Sequence, residues 1–250
     1  MKIATWMTTP HFQHAEIAKD CGFKHLVLDI EHGAFDLGAL DRFIGFARAL
    51  GMGVHAKVLG PTVEAIQQAL DFGADSVIIP HILDAAHAEA VCTAAKYPPL
   101  GKRSFAGGRC MGYTRQTDDF FPAENRRVQC WPMCETAESL ADIENILKLP
   151  TVDGVFMGPS DLSLSRGRPN YHFTDDDRAD IAKVAKACAA AGKDWVMPGW
   201  RADERAFAMA QERRPAMMVV GPQYGIIRAG FDGLRAMLDQ EGLGAGARRA

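Results

Sequence analysis

Two carboxylates, Glu135 and Asp161, each stand where a short apolar run ends in a turn. Cys130-Trp131-Pro132-Met133-Cys134 leads straight into Glu135, and Gly154-Val155-Phe156-Met157 passes through Gly158-Pro159-Ser160 to Asp161. Between the runs, Leu140, Ile143, Ile146 and Leu147 recur at three- and four-residue spacing, which predicts a helix. A strand–helix–strand unit of this length makes the two strands parallel neighbours, so both carboxylates reach the same rim of the sheet. Two hard oxygen donors with room beside them for water or substrate suit a divalent cation such as Mg²⁺ or Mn²⁺. Taken singly, each carboxylate reads equally as a helix-capping or turn residue. The pair points to metal chemistry.

Other strand ends supply further groups. In Leu28-Asp29-Ile30-Glu31-His32-Gly33, Asp29 and Glu31 share a face while the strand stays regular, and His32 opens the loop beyond. A histidine with a carboxylate three residues back can act as a base with an orienting partner, or simply cap a loop. Lys57, near the end of a third strand, can bind a substrate carboxylate, form a Schiff base with a ketone, or remain a solvated lysine. The backbone N–H groups of Gly158 and Ser160, on either side of Pro159, can form an anion cradle. Arg103 and Arg109 flank Gly107-Gly108 in a long Gly-, Pro- and Arg-rich segment, residues 97–123, which suits a mobile active-site loop or a solvated basic one. His25 and His55 read as structural or surface residues, and His81 as a minor candidate on the rim.

The elements that position these groups alternate without a break. Strand-like runs at 2–7, 23–30, 53–58, 76–80, 130–134, 154–157, 194–197 and 216–220 are separated by helical patterns at 11–21, 37–50, 61–72, 84–96, 140–147, 175–191 and 203–213, with a last helix at 223–238. Eight such units in roughly 240 residues predict a single α/β domain, a closed (β/α)₈ barrel over residues 1–241, with 242–250 as a frayed tail. An open doubly wound sheet would place a glycine-rich loop after the first strand, where Trp6-Met7-Thr8-Thr9-Pro10 stands instead. The net charge of −3 over 250 residues gives no footing for nucleic acid or a membrane surface. No apolar run approaches the ~20 residues of a membrane span. The N-terminus lacks a signal-peptide pattern, and six scattered cysteines read as reduced core thiols of a cytoplasmic protein. On the last helix, Ile226, Ile227, Phe231, Leu234, Met237 and Leu238 form an apolar face that fits packing on its own barrel or across subunits.

Together, Leu28–Gly33, Tyr97-Pro98-Pro99-Leu100-Gly101-Lys102-Arg103, Glu135-Thr136 and the run from Gly154 to Leu162 resemble the HpcH/HpaI family of metal-dependent pyruvate aldolases. The resemblance implies a (β/α)₈ barrel whose divalent ion (Mg²⁺, Mn²⁺ or Co²⁺) is held by Glu135 and Asp161. It further implies that pyruvate chelates that ion, that His32 oriented by Asp29 handles the proton, and that the protein is a homo-oligomer, a hexamer or trimer, with its last helix packed across subunits. The expected reaction is reversible cleavage of a 4-hydroxy-2-oxo acid to a 2-ketoacid and an aldehyde. Lys57 or Arg103 would offset developing negative charge, and Gly158, Pro159 and Ser160 would border the substrate. The chain departs from the pattern at Lys57, where the family carries arginine, and at Met133, where it carries glutamine. A lysine lacks the two-pronged grip of a guanidinium, so the departures imply a different hold on the donor ketoacid. The alternatives are an oxaloacetate-type decarboxylase or citrate-lyase-like C–C lyase on the same scaffold, a Schiff-base aldolase using Lys57, and a barrel that binds ketoacids without turnover.

Overall fold

A computed structural model describes residues 1–243. Eight parallel strands close into a barrel in chain order, β1 pairing with both β2 and β8. The order is β1 (Lys2–Met7), α1 (Phe12–Asp20), β2 (His25–Asp29), α2 (Leu37–Ala49), β3 (Gly53–Lys57), α3 (Val63–Asp71), β4 (Ser76–Ile79) and α4 (Ala85–Cys92). Then come α5 (Phe120–Arg127), β5 (Gln129–Cys134), α6 (Ala137–Ala141), α7 (Ile143–Ile146), β6 (Gly154–Met157), α8 (Pro159–Ser165) and α9 (Asp175–Ala191). The chain finishes with β7 (Asp194–Pro198), α10 (Ala202–Met209), β8 (Met217–Pro222) and α11 (Gln223–Gln240).

Strand alternation sorts the side chains into two cores. Ala4, Val27, Ile78, Trp131, Met133, Phe156, Val196, Met217 and Val219 fill the barrel interior, while alternate residues such as Leu26, Leu28, Val77, Cys130 and Val155 meet the helices outside. Several helices start where a short polar side chain holds a first-turn amide. Asp36, Thr62 and Asp84 accept from the N–H three residues on, and Thr136 and Thr174 form reciprocal capping boxes with Ser139 and Asp177. Such caps are worth ~1 kcal/mol each and fix where the loops of the catalytic rim end.

The architecture is the expected one, with three differences in detail. The segment 97–123 is not irregular throughout: it is followed by α5, which begins at Phe120. The helix expected over 140–147 is two short pieces broken at Asp142, whose carboxylate accepts from the Ala85 N–H at 2.7 Å and the Asn145 amide at 2.6 Å. Gly158-Pro159 opens α8, with proline at the first helical position where a missing N–H costs nothing. The last helix leaves the barrel: Phe231, Leu234 and Met237 are exposed, and only Gln223 at its start is buried. Of the tail 242–250, residues from 244 onward lie outside the described ones. Four of the six free cysteines are core residues, as expected, but Cys21 is exposed and Cys110 half-buried. Among the described residues no helix is long and apolar enough to cross a membrane.

Candidate active site

The C-terminal ends of the consecutive strands β2, β3, β4 and β5 bring Asp29, Lys57, His81 and Glu135 to one side of the barrel mouth. Asp29 and Lys57 are register partners. The Lys57 ammonium lies 3.5 Å from Asp29 Oδ1 and 2.5 Å from Glu31 Oε2, an ion pair rather than an aligned hydrogen bond. It also lies 5.8 Å from the centre of the Trp6 ring, and Trp6 Nε1–H donates to Asp29 Oδ2 at 3.2 Å. Burial pushes the Glu31 carboxyl up, but contact with the Lys57 ammonium, with His32 and His81 adding to it, outweighs that and holds it below the usual carboxylate range.

The three rim candidates around Glu31 differ in depth. Lys57 and Glu31 keep 5% and 8% of their side-chain surface, whereas His32 and His81 keep 64% and 62%. His81 Nε2 sits 2.5 Å from Glu31 Oε1. The His32 ring approaches Glu31 Oε2 at 3.6 Å, and only its main-chain N–H reaches Asp29, at 3.3 Å. Asp29 therefore holds the His32 backbone rather than its ring. The expected orienting carboxylate is replaced by Glu31, because β2 ends at Asp29 and the chain turns before the imidazole leaves it.

Glu135 is buried on the neighbouring strand. Its Oε1 accepts the main-chain N–H of His81 at 2.6 Å. Burial holds its carboxyl above the usual range, the Asp161 charge adds to this, and the His81 amide and Lys57 only partly offset it. Gly158 makes room: a Cβ there would stand 2.7 Å from Glu135 Cβ and 3.0 Å from both Glu135 Oε2 and the Met133 terminal methyl. Met133 thus lies under the carboxylate, on the face alternation predicts. Asp161 is exposed in the first turn of α8.

This side of the mouth gathers Asp29, Glu31, Glu135 and Asp161 around one fixed cation, Lys57. A buried carboxylate that resists ionisation beside a second carboxylate, in space kept clear by a glycine, fits a divalent cation. Among the described residues no three His, Cys, Asp or Glu side chains are grouped so that they could hold a metal ion.

Two expectations are corrected. Arg103 is not on this rim. Its guanidinium is buried, donates to Asp71 Oδ1 at 2.9 Å, lies 3.5 Å from Glu124 and stacks 4.6 Å from the centre of the Tyr97 ring. Asp71 closes α3, which runs back from the rim, so Arg103 belongs to the N-terminal end of the barrel. The loop carrying it is docked, Ser104 on Gln67 and Arg109 on Asp41, because its cations find acidic partners on α2 and α3. The anion cradle at 158–160 is also reduced. The Gly158 N–H is committed to the Cys134 carbonyl at 3.0 Å and Pro159 has none, which leaves only first-turn amides of α8.

His25 and His55 lie at the opposite end of the barrel as a structural pair. His55 is buried, 2.8 Å from Ser76 Oγ and 3.2 Å from His25 Nδ1, and stacks on Trp131. Burial lowers it to about 3, with the charges of His25 and Lys2 pushing the same way. Trp6, Glu31 and His81 join the site: the sequence places Glu31 on the face of Asp29 and His81 on the rim as a minor candidate, but does not single out Trp6. Glu31's place two residues beyond Asp29 is the signal for it and the end of the fourth strand the signal for His81, while nothing in the local sequence of Trp6 separates a site residue from a core one.

Residues 2–214 match the family model HpcH/HpaI aldolase/citrate lyase. A 2-dehydro-3,6-dideoxy-6-sulfogluconate aldolase of Pseudomonas putida is 31% identical over 197 residues, 76% of this chain and 74% of that one. A hydroxypyruvate/pyruvate aldolase of Roseobacter denitrificans is 32% identical over 191 residues, 75% of this chain and 74% of that one. In fold, the chain superposes with a TM-score of 0.87 on the crystal structure of an HpcH/HpaI aldolase from Desulfitobacterium hafniense DCB-2, at 22% identity over 95% of this chain and 92% of that one. With the family model spanning most of the barrel and relatives above 30% identity covering three quarters of the chain, the protein belongs to the HpcH/HpaI aldolase/citrate lyase family and is a lyase of the aldolase type.

Proposed function

We propose that the protein is a divalent-metal-dependent aldolase that reversibly cleaves a 4-hydroxy-2-oxo acid to pyruvate, or a related 2-ketoacid, and an aldehyde. The observation that carries this is Glu135: a buried carboxylate with space that Gly158 keeps clear beside it, held above the usual range by burial and by the charge of Asp161. Glu135 and Asp161 would hold the ion, Mg²⁺, Mn²⁺ or Co²⁺. A bound divalent ion supplies Lewis acidity towards the ketone oxygen of a 2-ketoacid.

The chain's own residues divide the remaining work. Lys57 contributes positive charge at the buried end, where its ion pairs with Glu31 and Asp29 hold it in one place. That commitment speaks against a free amine nucleophile and so against the Schiff-base route. Trp6 and Met133 exclude water beside the carboxylates. His32, exposed and steadied by the hydrogen bond its main-chain N–H donates to Asp29, takes the C4 hydroxyl proton in cleavage and returns it in synthesis. Gly158, Pro159 and Ser160 border the donor as a wall.

The exposed apolar face of α11 supports a homo-oligomer in which a second copy, in a trimer or hexamer, covers Phe231, Leu234 and Met237. Buried free thiols agree with a reducing, cytoplasmic setting.

The test is proton NMR of pyruvate in D₂O with the protein, comparing added Mg²⁺ or Mn²⁺ with excess EDTA, paramagnetic Mn²⁺ being removed before the spectrum is read. Metal-dependent loss of the methyl signal is expected. Exchange that persists in EDTA would move the chemistry to Lys57. No exchange with pyruvate, hydroxypyruvate or oxaloacetate would end the reading.

A further inference from the structure

His81 has no part in the scheme above, yet its backbone is held at φ +58°, the left-handed region that costs a non-glycine residue on the order of 1 kcal/mol. That conformation does two things at once. It turns the main-chain N–H onto Glu135 Oε1 at 2.6 Å, and it lays the imidazole on Glu31 Oε1 at 2.5 Å. A glycine could supply the first; only a ring supplies the second. Glu31 is in turn held by Lys57, and an ionised carboxylate is purely an acceptor, so His81 Nε2 carries the hydrogen. Nδ1 is the nitrogen left for a ligand. It lies 3.8 Å from Glu135 Oε1, beside the carboxylate proposed to hold the ion.

Depth then separates the two halves of the substrate. Lys57, Glu31 and Glu135 are buried, whereas the His81 ring is mostly exposed on the solvent side of Glu135. A donor ketoacid that reaches the buried groups leaves the aldehyde half level with the His81 imidazole. We propose that His81 is a specificity-determining residue for the acceptor: its Nδ1 accepts a hydrogen bond from a hydroxyl of the aldehyde half, so the enzyme favours hydroxyaldehydes over alkyl aldehydes. This rests on the aldolase reading. A hydroxyl is selected because a fixed polar atom facing an alkyl group loses its water without replacement.

The test compares kcat/KM for glycolaldehyde and propionaldehyde with one donor, in wild type, His81→Gly and His81→Asn. Glycine keeps the backbone conformation and the N–H to Glu135 while deleting the ring. Asparagine also tolerates the left-handed region and can place an amide oxygen near the Nδ1 position. A ratio of the two aldehydes does not depend on how much enzyme is folded. The expected result is a wild-type preference for glycolaldehyde of about tenfold or more, collapse to about parity in His81→Gly, and partial recovery in His81→Asn. A wild-type preference that survives in His81→Gly overturns the assignment. So does a preference for propionaldehyde, which would hand the acceptor to Trp200, set edge-on to Trp6 at 6.1 Å. Failure of the aldolase reading itself would be recognised separately, because wild type would then show no ketoacid exchange, and the assignment would fall with it.

Discussion

The two ends of the barrel treat charge in opposite ways. At the N-terminal end, cations and carboxylates close on one another: Arg103 meets Asp71 and Glu124, Arg127 meets Glu124 and Asp75, and Arg48 meets Asp75. The buried His55 is kept neutral between Ser76 and His25. At the C-terminal end, Asp29, Glu31, Glu135 and Asp161 share one lysine, and Glu135 is left resisting ionisation. Balanced charge stabilises a fold; an unbalanced cluster stores the electrostatic demand that a ligand relieves. If this contrast is right, substitutions at the two ends should separate activity from stability.

The largest effect belongs to Glu135→Gln. Turnover should fall by about 10³-fold or more, since the ion loses a charged donor, and isothermal titration should show the loss of divalent-metal binding. The melting temperature without metal should stay level or rise, because an uncomfortable buried carboxyl has been removed. A large drop in melting temperature would show that Glu135 is a structural residue. Gly158→Ala comes next. Its methyl group would press on the Glu135 side chain and Met133, so turnover should fall by about 10²-fold with a much smaller change in stability. Unchanged turnover would mean that the exact place of the carboxylate is unimportant.

The opposite end should respond in reverse. Arg103→Met removes a buried cation from two carboxylates and should cost about 3 kcal/mol in urea denaturation, while activity per folded molecule stays near wild type. Loss of activity in fully folded Arg103→Met would return Arg103 to the catalytic machinery. The smallest effect is that of pH. His55 has its folded pKa depressed to about 3 by burial, against an ordinary 6.5. Its stabilisation is present above about pH 6.5. On acidification the unfolded chain takes up the proton first, and stability falls by up to about 1.4 kcal/mol per pH unit until the folded pKa is reached. Denaturation curves at pH 7, 6 and 5 should show this slope, and His55→Gln should flatten it. An equal slope in His55→Gln would assign the acid sensitivity to other groups.

The barrel was legible because its evidence is local and repeated. Strand runs such as 53–58 and helical patterns such as 175–191 carry their signals within a few residues, and β3 and α9 follow them closely, whereas α10 ends at Met209 rather than at 213. Glu135 and Asp161 could be paired because the strand–helix–strand unit fixes which rim they reach. Arg103 was misplaced because a glycine-rich basic segment looks the same whether it covers a site or is pinned by Asp71 and Glu124, partners 32 and 21 positions away in sequence. The ring of His32 was given to Asp29 on spacing alone, whereas the geometry of the turn decides between Asp29 and Glu31. His81 was undervalued because its left-handed backbone is a product of the finished rim.

The main-chain bond from His81 to Glu135 bears on how this lineage can change. A donor supplied by the backbone does not depend on the side chain at position 81 as long as the left-handed conformation holds, which glycine and asparagine allow and which proline, with no N–H to give, does not. The carboxylate proposed to hold the ion is therefore insulated from those replacements at the very position whose side chain is proposed to face the aldehyde. Evolution and a designer can both sample new acceptors there, through residues that keep the left-handed turn, without first having to rebuild the catalytic centre.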